Sequence, residues 1–276
     1  MISYLQVDCS TKSFGDKILF EDISFGIAQG QKIGLIAKNG TGKTTLLNIL
    51  VDREDYDEGK ITYRRNLRVG YLDQSPAFDP EATVLEACNG SSDTFKKKQI
   101  LSKLKINNFD QRMGELSGGQ IKRVALANVL ITEPDLLFLD EPTNHLDLEM
   151  TEWLEEYLSR SHMTLLMVTH DRYFLDRVCN EIVELETRNL YSYKGHYSYN
   201  LEKRQERIDA RNAELERSQQ LFKKELEWMR RQPQARGTKA RARVDAFYEV
   251  EKKAKEEIVK DAIRLDVKSS YIGNKI

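Results

Sequence analysis

The chain has 276 residues, 40% hydrophobic and 32% charged, enough to bury a sizeable core in one or two domains. Its longest apolar runs, such as residues 136–139, are far too short to cross a bilayer, which excludes a membrane-spanning role for these residues. The net charge of −1 is unevenly spread: from His196 onward 20 basic residues stand against 14 acidic ones, leaving 23 against 30 in the remainder. An acidic body with a basic tail implies that the tail is the part that meets a polyanion. Residues 1–10 lack the basic-then-apolar layout of a signal peptide. Cys9, Cys88 and Cys179 lie far apart, match no metal-ligand spacing and read as reduced thiols of a cytoplasmic protein.

In chain order, strands are predicted at 3–7, 23–27, 32–36, 69–72, 136–140, 164–168 and 181–185, and helices at 43–50, 119–131, 148–160 and 171–179. The runs at 136–139 and 165–168 are apolar without alternation, as in strands covered on both faces, so the fold class is α/β with a mainly parallel central sheet. After Gly195 the texture changes. Leu201, Ile208, Leu215, Phe222 and Met229 recur every seven residues among charged ones, predicting one helix over 197–231. Pro233 and Gly237 break it, and a second charged helix carries Val244, Phe247, Ala254, Ile258 and Leu265. The two make an antiparallel helical hairpin with a narrow seam. Residues 1–195 are therefore expected to form the body and 196–270 the hairpin.

Ala37-Lys38-Asn39-Gly40-Thr41-Gly42-Lys43-Thr44 follows a predicted strand and opens a predicted helix, the context that a phosphate-binding loop requires. Gly40 and Gly42 allow backbone amides to converge on phosphates, and the helix N-terminus adds its dipole. Lys43 is expected at the β- and γ-phosphates and the Thr44 hydroxyl at Mg²⁺, with Lys38 to Thr45 as the contact set. Ala37 stands where the pattern has its first glycine, a small replacement for a small residue. Residues 136–139 deliver Asp140 at a strand tip as a second Mg²⁺ ligand, and Glu141 follows as candidate general base.

Leu116-Ser117-Gly118-Gly119-Gln120 resembles the signature sequence of the ATP-binding cassette (ABC) superfamily. The resemblance runs through residues 1–195. It implies a P-loop NTPase cassette with a small antiparallel β portion and a helical subdomain at about 78–130. ATP and Mg²⁺ would be sandwiched between two cassettes, and Ser117, Gly118, Gly119 and Gln120 would contact the γ-phosphate bound to the facing one. Phe14 matches the aromatic that stacks on adenine, Gln74 the glutamine that senses Mg²⁺ and the attacking water, Asn144 to Asp147 the loop that crosses the interface, and His170 the switch histidine. His145, His162 and His196 receive no catalytic role.

Glu141-Pro-Thr-Asn-His-Leu-Asp147 and Val168-Thr-His-Asp-Arg-Tyr-Phe-Leu175 resemble the ABC-F subfamily, ATPases with two cassettes in one chain and no membrane domains, most of which act on the ribosome. This implies an ATPase whose cassette closure is coupled to ribosome or tRNA binding through the helical linker. Arg230, Arg231, Arg236, Lys239, Arg241 and Arg243 near its turn are the candidate RNA contacts, while Trp228 is expected first to pack between the two helices, with stacking on a base as its other use. The linker pattern leans toward the Uup-like branch. Every motif occurs once, so the resemblance implies a missing second cassette, begun at 271–276, or a self-dimer, with weak hydrolysis by one chain alone. The stretch 89–94 reads as a natural short loop or as the place where an arm was deleted. Two other readings stand beside this one: the ATP-binding subunit of a membrane transporter, and a DNA-binding ATPase.

Overall fold

The computed structural model describes residues 2–15, 17–88, 93–186, 188–195, 197–230 and 246–251, the side chains of 228 and 229 excepted. In order they form β1 (Ser3–Phe14), β2 (Lys17–Ala28), β3 (Lys32–Ala37), α1 (Lys43–Leu50), β4 (Glu58–Tyr63), β5 (Val69–Leu72), α2 (Val84–Ala87), α3 (Thr94–Lys103), α4 (Gly118–Ile131), β6 (Leu136–Asp140), α5 (Leu148–Arg160), β7 (Thr164–Val168), α6 (Arg172–Val178), β8 (Glu181–Glu186), β9 (Asn189–Lys194) and α7 (Tyr197–Arg230).

Two sheets result. One is antiparallel, in the order β2-β1-β4. The other has six strands, β5-β6-β7-β3-β8-β9, parallel from β5 through β8 and closed by the antiparallel β9. Every residue of β6 and β7 is buried, which is why their sequences show no period of two. Helix α1 and the antiparallel sheet bury Leu46, Leu47, Leu50, Phe20 and Leu5 with Phe138 and Leu166 of the central sheet. A second apolar layer lies on the opposite face, where Leu137, Leu139 and Leu165 join residues of α3, α4, α5 and α6.

The strands and helices expected within residues 1–195 are present, and several extend further. β1 and β2 run to 12 residues each. Register shifts between Val7 and Ser10, where Cys9 adopts φ 52°, interrupt the alternation that would have revealed their full length. The predicted helix at 119–131 starts one residue earlier, because Ser117 caps it. β4 and β9 were not predicted; α2 and α3 fall in the stretch expected to be a helical subdomain, though neither was predicted individually.

The chain divides into two units after Leu201. In the second, α7 continues as a single helix of 34 residues, about 50 Å long. Ile208 and Leu215 of the heptad series are buried, and the Phe222 ring stacks on Phe247, centroids 5.5 Å apart, where residues 246–251 are again helical. Val244, Ala254, Ile258, Leu265 and the segment 271–276 lie outside the described residues, as do 89–92.

Candidate functional site

Parallel pairing of β3 and β6 to either side of β7 brings the ends of three strands to one edge of the sheet. β3 ends at Ala37, and a five-residue loop turns into α1. That turn needs glycine. Gly40 has φ 76° and Gly42 has φ 97°, the left-handed region that side chains resist. A Cβ on Gly42 would also meet Leu19 Cδ1 at 3.0 Å. Gly42→Ala is therefore expected to cost about 1–2 kcal/mol in stability through backbone strain alone. Thermal melts together with a nucleotide titration check this, and wild-type behaviour in both would contradict the loop geometry.

Lys43 folds back over the loop. Its ammonium donates to Ala37 O at 2.9 Å and contacts Asn39 Oδ1 at 3.4 Å. Thr41 Oγ1 donates to Lys38 O at 2.7 Å, and Thr45 is half-buried in α1. Lys17, paired with Phe14 across the β1–β2 hairpin, donates to Gly40 O at 3.2 Å. That bond ties the hairpin to the loop, and the Phe14 ring is 53% exposed with the Lys12 ammonium 5.0 Å from its centroid.

Thr44 Oγ1 donates to Asp140 Oδ2 at 2.9 Å. Asp140 is only 4% exposed, and burial pushes its carboxyl up against the opposing pull of Thr44 and Lys43. Burial likewise lowers the Lys43 ammonium, while Glu141 and Asp140 hold it up. A hydroxyl and a carboxylate converging in this way are hard oxygen donors. They fit a magnesium ion, which completes its shell from phosphates and water.

Glu141 lies one residue past β6, at φ 49°, with its N–H donating to Val168 O at 2.8 Å. That bond sets it beside the end of β7, where the backbone N–H of His170 donates to Glu141 Oε2 at 3.4 Å. His170 Nε2 stands 3.5 Å from Glu141 Oε1 and 3.4 Å from Lys43 Nζ. Nε2 of the ring thus stands between a carboxylate and an ammonium. Gln74, exposed just beyond β5, lines one cavity with Asp73, Lys122, Asp140, Glu141 and Asn144.

The signature residues show a local reason for their types. Ser117 Oγ accepts from Gln120 N at 3.3 Å and Gln120 Oε1 accepts from Ser117 N at 2.9 Å, a capping box that leaves the amide-rich head of α4 exposed. Gly118 is open, and a Cβ on Gly119 would touch His145. Asp147 is engaged locally: it caps α5 through Met150 N and pairs with Lys105 at 2.7 Å. The structure thus brings together Lys43, Thr44, Asp140, Glu141 and His170. Arg230 is exposed at the end of α7, whereas Arg231, Arg236, Lys239, Arg241 and Arg243 and the Trp228 side chain lie outside the described residues. Sequence reasoning missed the contacts of Lys17, Lys105 and Lys122, which carry no signal in local spacing.

A family model described as ABC transporter matches residues 20–144, and a second with the same description matches 183–265. The chain is 42% identical over 288 residues to an uncharacterized ABC transporter ATP-binding protein, YfmR, of Bacillus subtilis, covering 88% of this chain and 46% of that protein. It is 31% identical to the ATP-binding protein Uup of Buchnera aphidicola, covering 99% and 48%. Identity is also 31% to the energy-dependent translational throttle protein EttA of Escherichia coli K12, covering 84% and 50%. The chain spans about half the length of these curated relatives. Among solved structures, an ATP-binding subunit of an ABC transporter superposes with a TM-score of 0.61 at 21% identity, covering 69% of this chain and 90% of that one, which shows the shared fold. No helix among the described residues is long and apolar enough to cross a membrane. Phosphate loop, buried Asp-Glu strand tip, capped signature helix and matching relatives agree, and the chain belongs to the ATP-binding cassette family of ATPases.

Proposed function

We propose that this chain is the nucleotide-hydrolysing cassette of an ABC-F-type ATPase in the cytoplasm, coupling ATP-driven pairing with a second cassette to ribosome binding through its basic helical linker. The observation that carries the reading is the convergence of Lys43, the Thr44–Asp140 pair, Glu141 and His170 at one sheet edge. In this assignment the loop 38–45 binds the phosphates and Phe14 stacks on the base. Thr44 and Asp140, with Gln74 nearby, would hold Mg²⁺, whose contribution when bound is to neutralise phosphate charge. Glu141 accepts the proton of the attacking water, and His170 stabilises the γ-phosphate. Ser117 to Gln120 and the turn ending at Asp147 face the second cassette, supplied by a further part of a longer chain or by a second copy.

ABC-F membership is supported by the relatives Uup and EttA and by the long charged helix α7 that continues past the cassette. The name of EttA refers to translation, and the basic run between Arg230 and Arg243 is suited to RNA phosphates. Co-sedimentation with ribosomes tests the coupling, using Glu141→Gln with ATP and Lys43→Ala as the non-binding control. Pelleting by Glu141→Gln that falls steeply between about 50 and 200 mM salt is expected. Equal pelleting of both forms, or of neither, would refute it.

A further inference from the structure

The turn 144–147 joins β6 to α5, and His145 within it adopts φ 69°. A left-handed histidine is strained by itself and persists where neighbours hold it. Two lysines do so. Lys122, in α4, places Nζ 3.2 Å from His145 Nε2. An ammonium has no acceptor, so in this contact the lysine donates and the imidazole nitrogen accepts. At the other end of the turn, Lys105 bridges Asp147 Oδ2 at 2.7 Å and Glu149 Oε2 at 2.8 Å. The bridge orients the residue that caps α5.

The two lysines share a frame. Lys105 directly follows Leu104, the C-cap of α3. Arg123, next to Lys122 in α4, donates through Nη1 to Leu104 O at 2.9 Å and approaches Met150 Sδ of α5 at 3.7 Å. Both ends of the turn are thus fastened to the α3–α4 body, whose α4 begins at the capped signature loop. These ion pairs are well exposed, 43% for Lys105 and 47% and 81% for its partners, so their contribution to overall stability is small. What they supply is geometry.

We infer that Lys105 and Lys122 are positioning residues that lock the turn 144–147 to the signature helix, so that both are presented to the second cassette as one preformed face. This rests on the composite-site reading above. A preformed face spares the ordering cost at association. Lys105 acts on cassette pairing and leaves nucleotide affinity alone; Lys122 also lines the cavity shared by Gln74, Asp140 and Glu141, so its loss bears on both.

The test uses the full chain carrying Glu141→Gln and measures its self-association with ATP by sedimentation, beside an independent titration with a fluorescent ATP analogue. Adding Lys105→Met should weaken ATP-dependent association at least fivefold while nucleotide affinity stays within twofold, and adding Lys122→Met as well should weaken association further. Lys105→Arg with Lys122→Arg should restore association, since a guanidinium still bridges two carboxylates and donates to an imidazole. Unchanged association in the Lys105→Met variant overturns the lysine clamp alone. Loss of nucleotide affinity in parallel with association in that variant would assign Lys105 a general structural role and also overturn it. If the parent Glu141→Gln chain does not associate with ATP, the composite-site reading fails, and the clamp with it.

Discussion

Replacing Glu141 by Gln is expected to lower ATP turnover by about 10²–10⁴-fold while nucleotide binding persists. Gln has nearly the same shape, keeps an oxygen to accept the His170 N–H, and tolerates φ 49° no worse than Glu, so the strand tip stays as it is. Only the ability to take a proton is removed. Lys43→Ala should do the reverse. It deletes the cation that lies across the loop on Ala37 O and beside Asn39, and nucleotide affinity is lost before any chemistry. Phosphate release in steady state, measured beside equilibrium titration of a fluorescent nucleotide, separates the two. Turnover by Glu141→Gln equal to that of the parent would remove Glu141 from its assigned role.

Phe138→Ala is expected to destabilise the cassette by about 3–5 kcal/mol, the cost of emptying a large buried site that its neighbours cannot refill. Phe138 is fully buried in β6, paired in register with Tyr71 and Leu166, and packed in the layer that holds α1 against the sheet. The residue two positions on is Asp140, so the same strand carries the core and delivers the carboxylate. Val69→Ala, on the exposed start of β5 at 42% exposure, should change stability by no more than about 0.5 kcal/mol. Urea titrations of the two variants give the difference from midpoint and slope. A loss below about 1 kcal/mol at Phe138 would contradict its placement in the core.

The parts of the fold that sequence revealed are those whose cause is local. β6 and β7 are legible because burial on both faces leaves only apolar residues, and α5 because Asp147 caps it and Leu154 and Leu158 recur on its buried face. β4, reading Glu-Gly-Lys-Ile-Thr-Tyr, escaped because an edge strand with half-exposed residues shows no clean alternation. β9 is similarly polar, and α2 has only four residues. Within the site, the phosphate loop and the Ser117–Gln120 capping box are encoded within a few positions. The bonds of Lys17 to Gly40, Lys122 to His145 and Lys105 to Asp147 span 23, 23 and 42 residues. Such pairs follow from how the layers stack, which no local pattern records.

Helix α7 takes its first turn from α6. Asp176 accepts the Tyr197 N–H, closing an otherwise open helix start, and the Arg172 guanidinium lies 5.6 Å from the Tyr197 ring centroid. α6 itself is capped by Asp171, directly after His170. One short helix thus starts beside His170 and ends by anchoring Tyr197, so the end of β7 and the first turn of α7 share a single support.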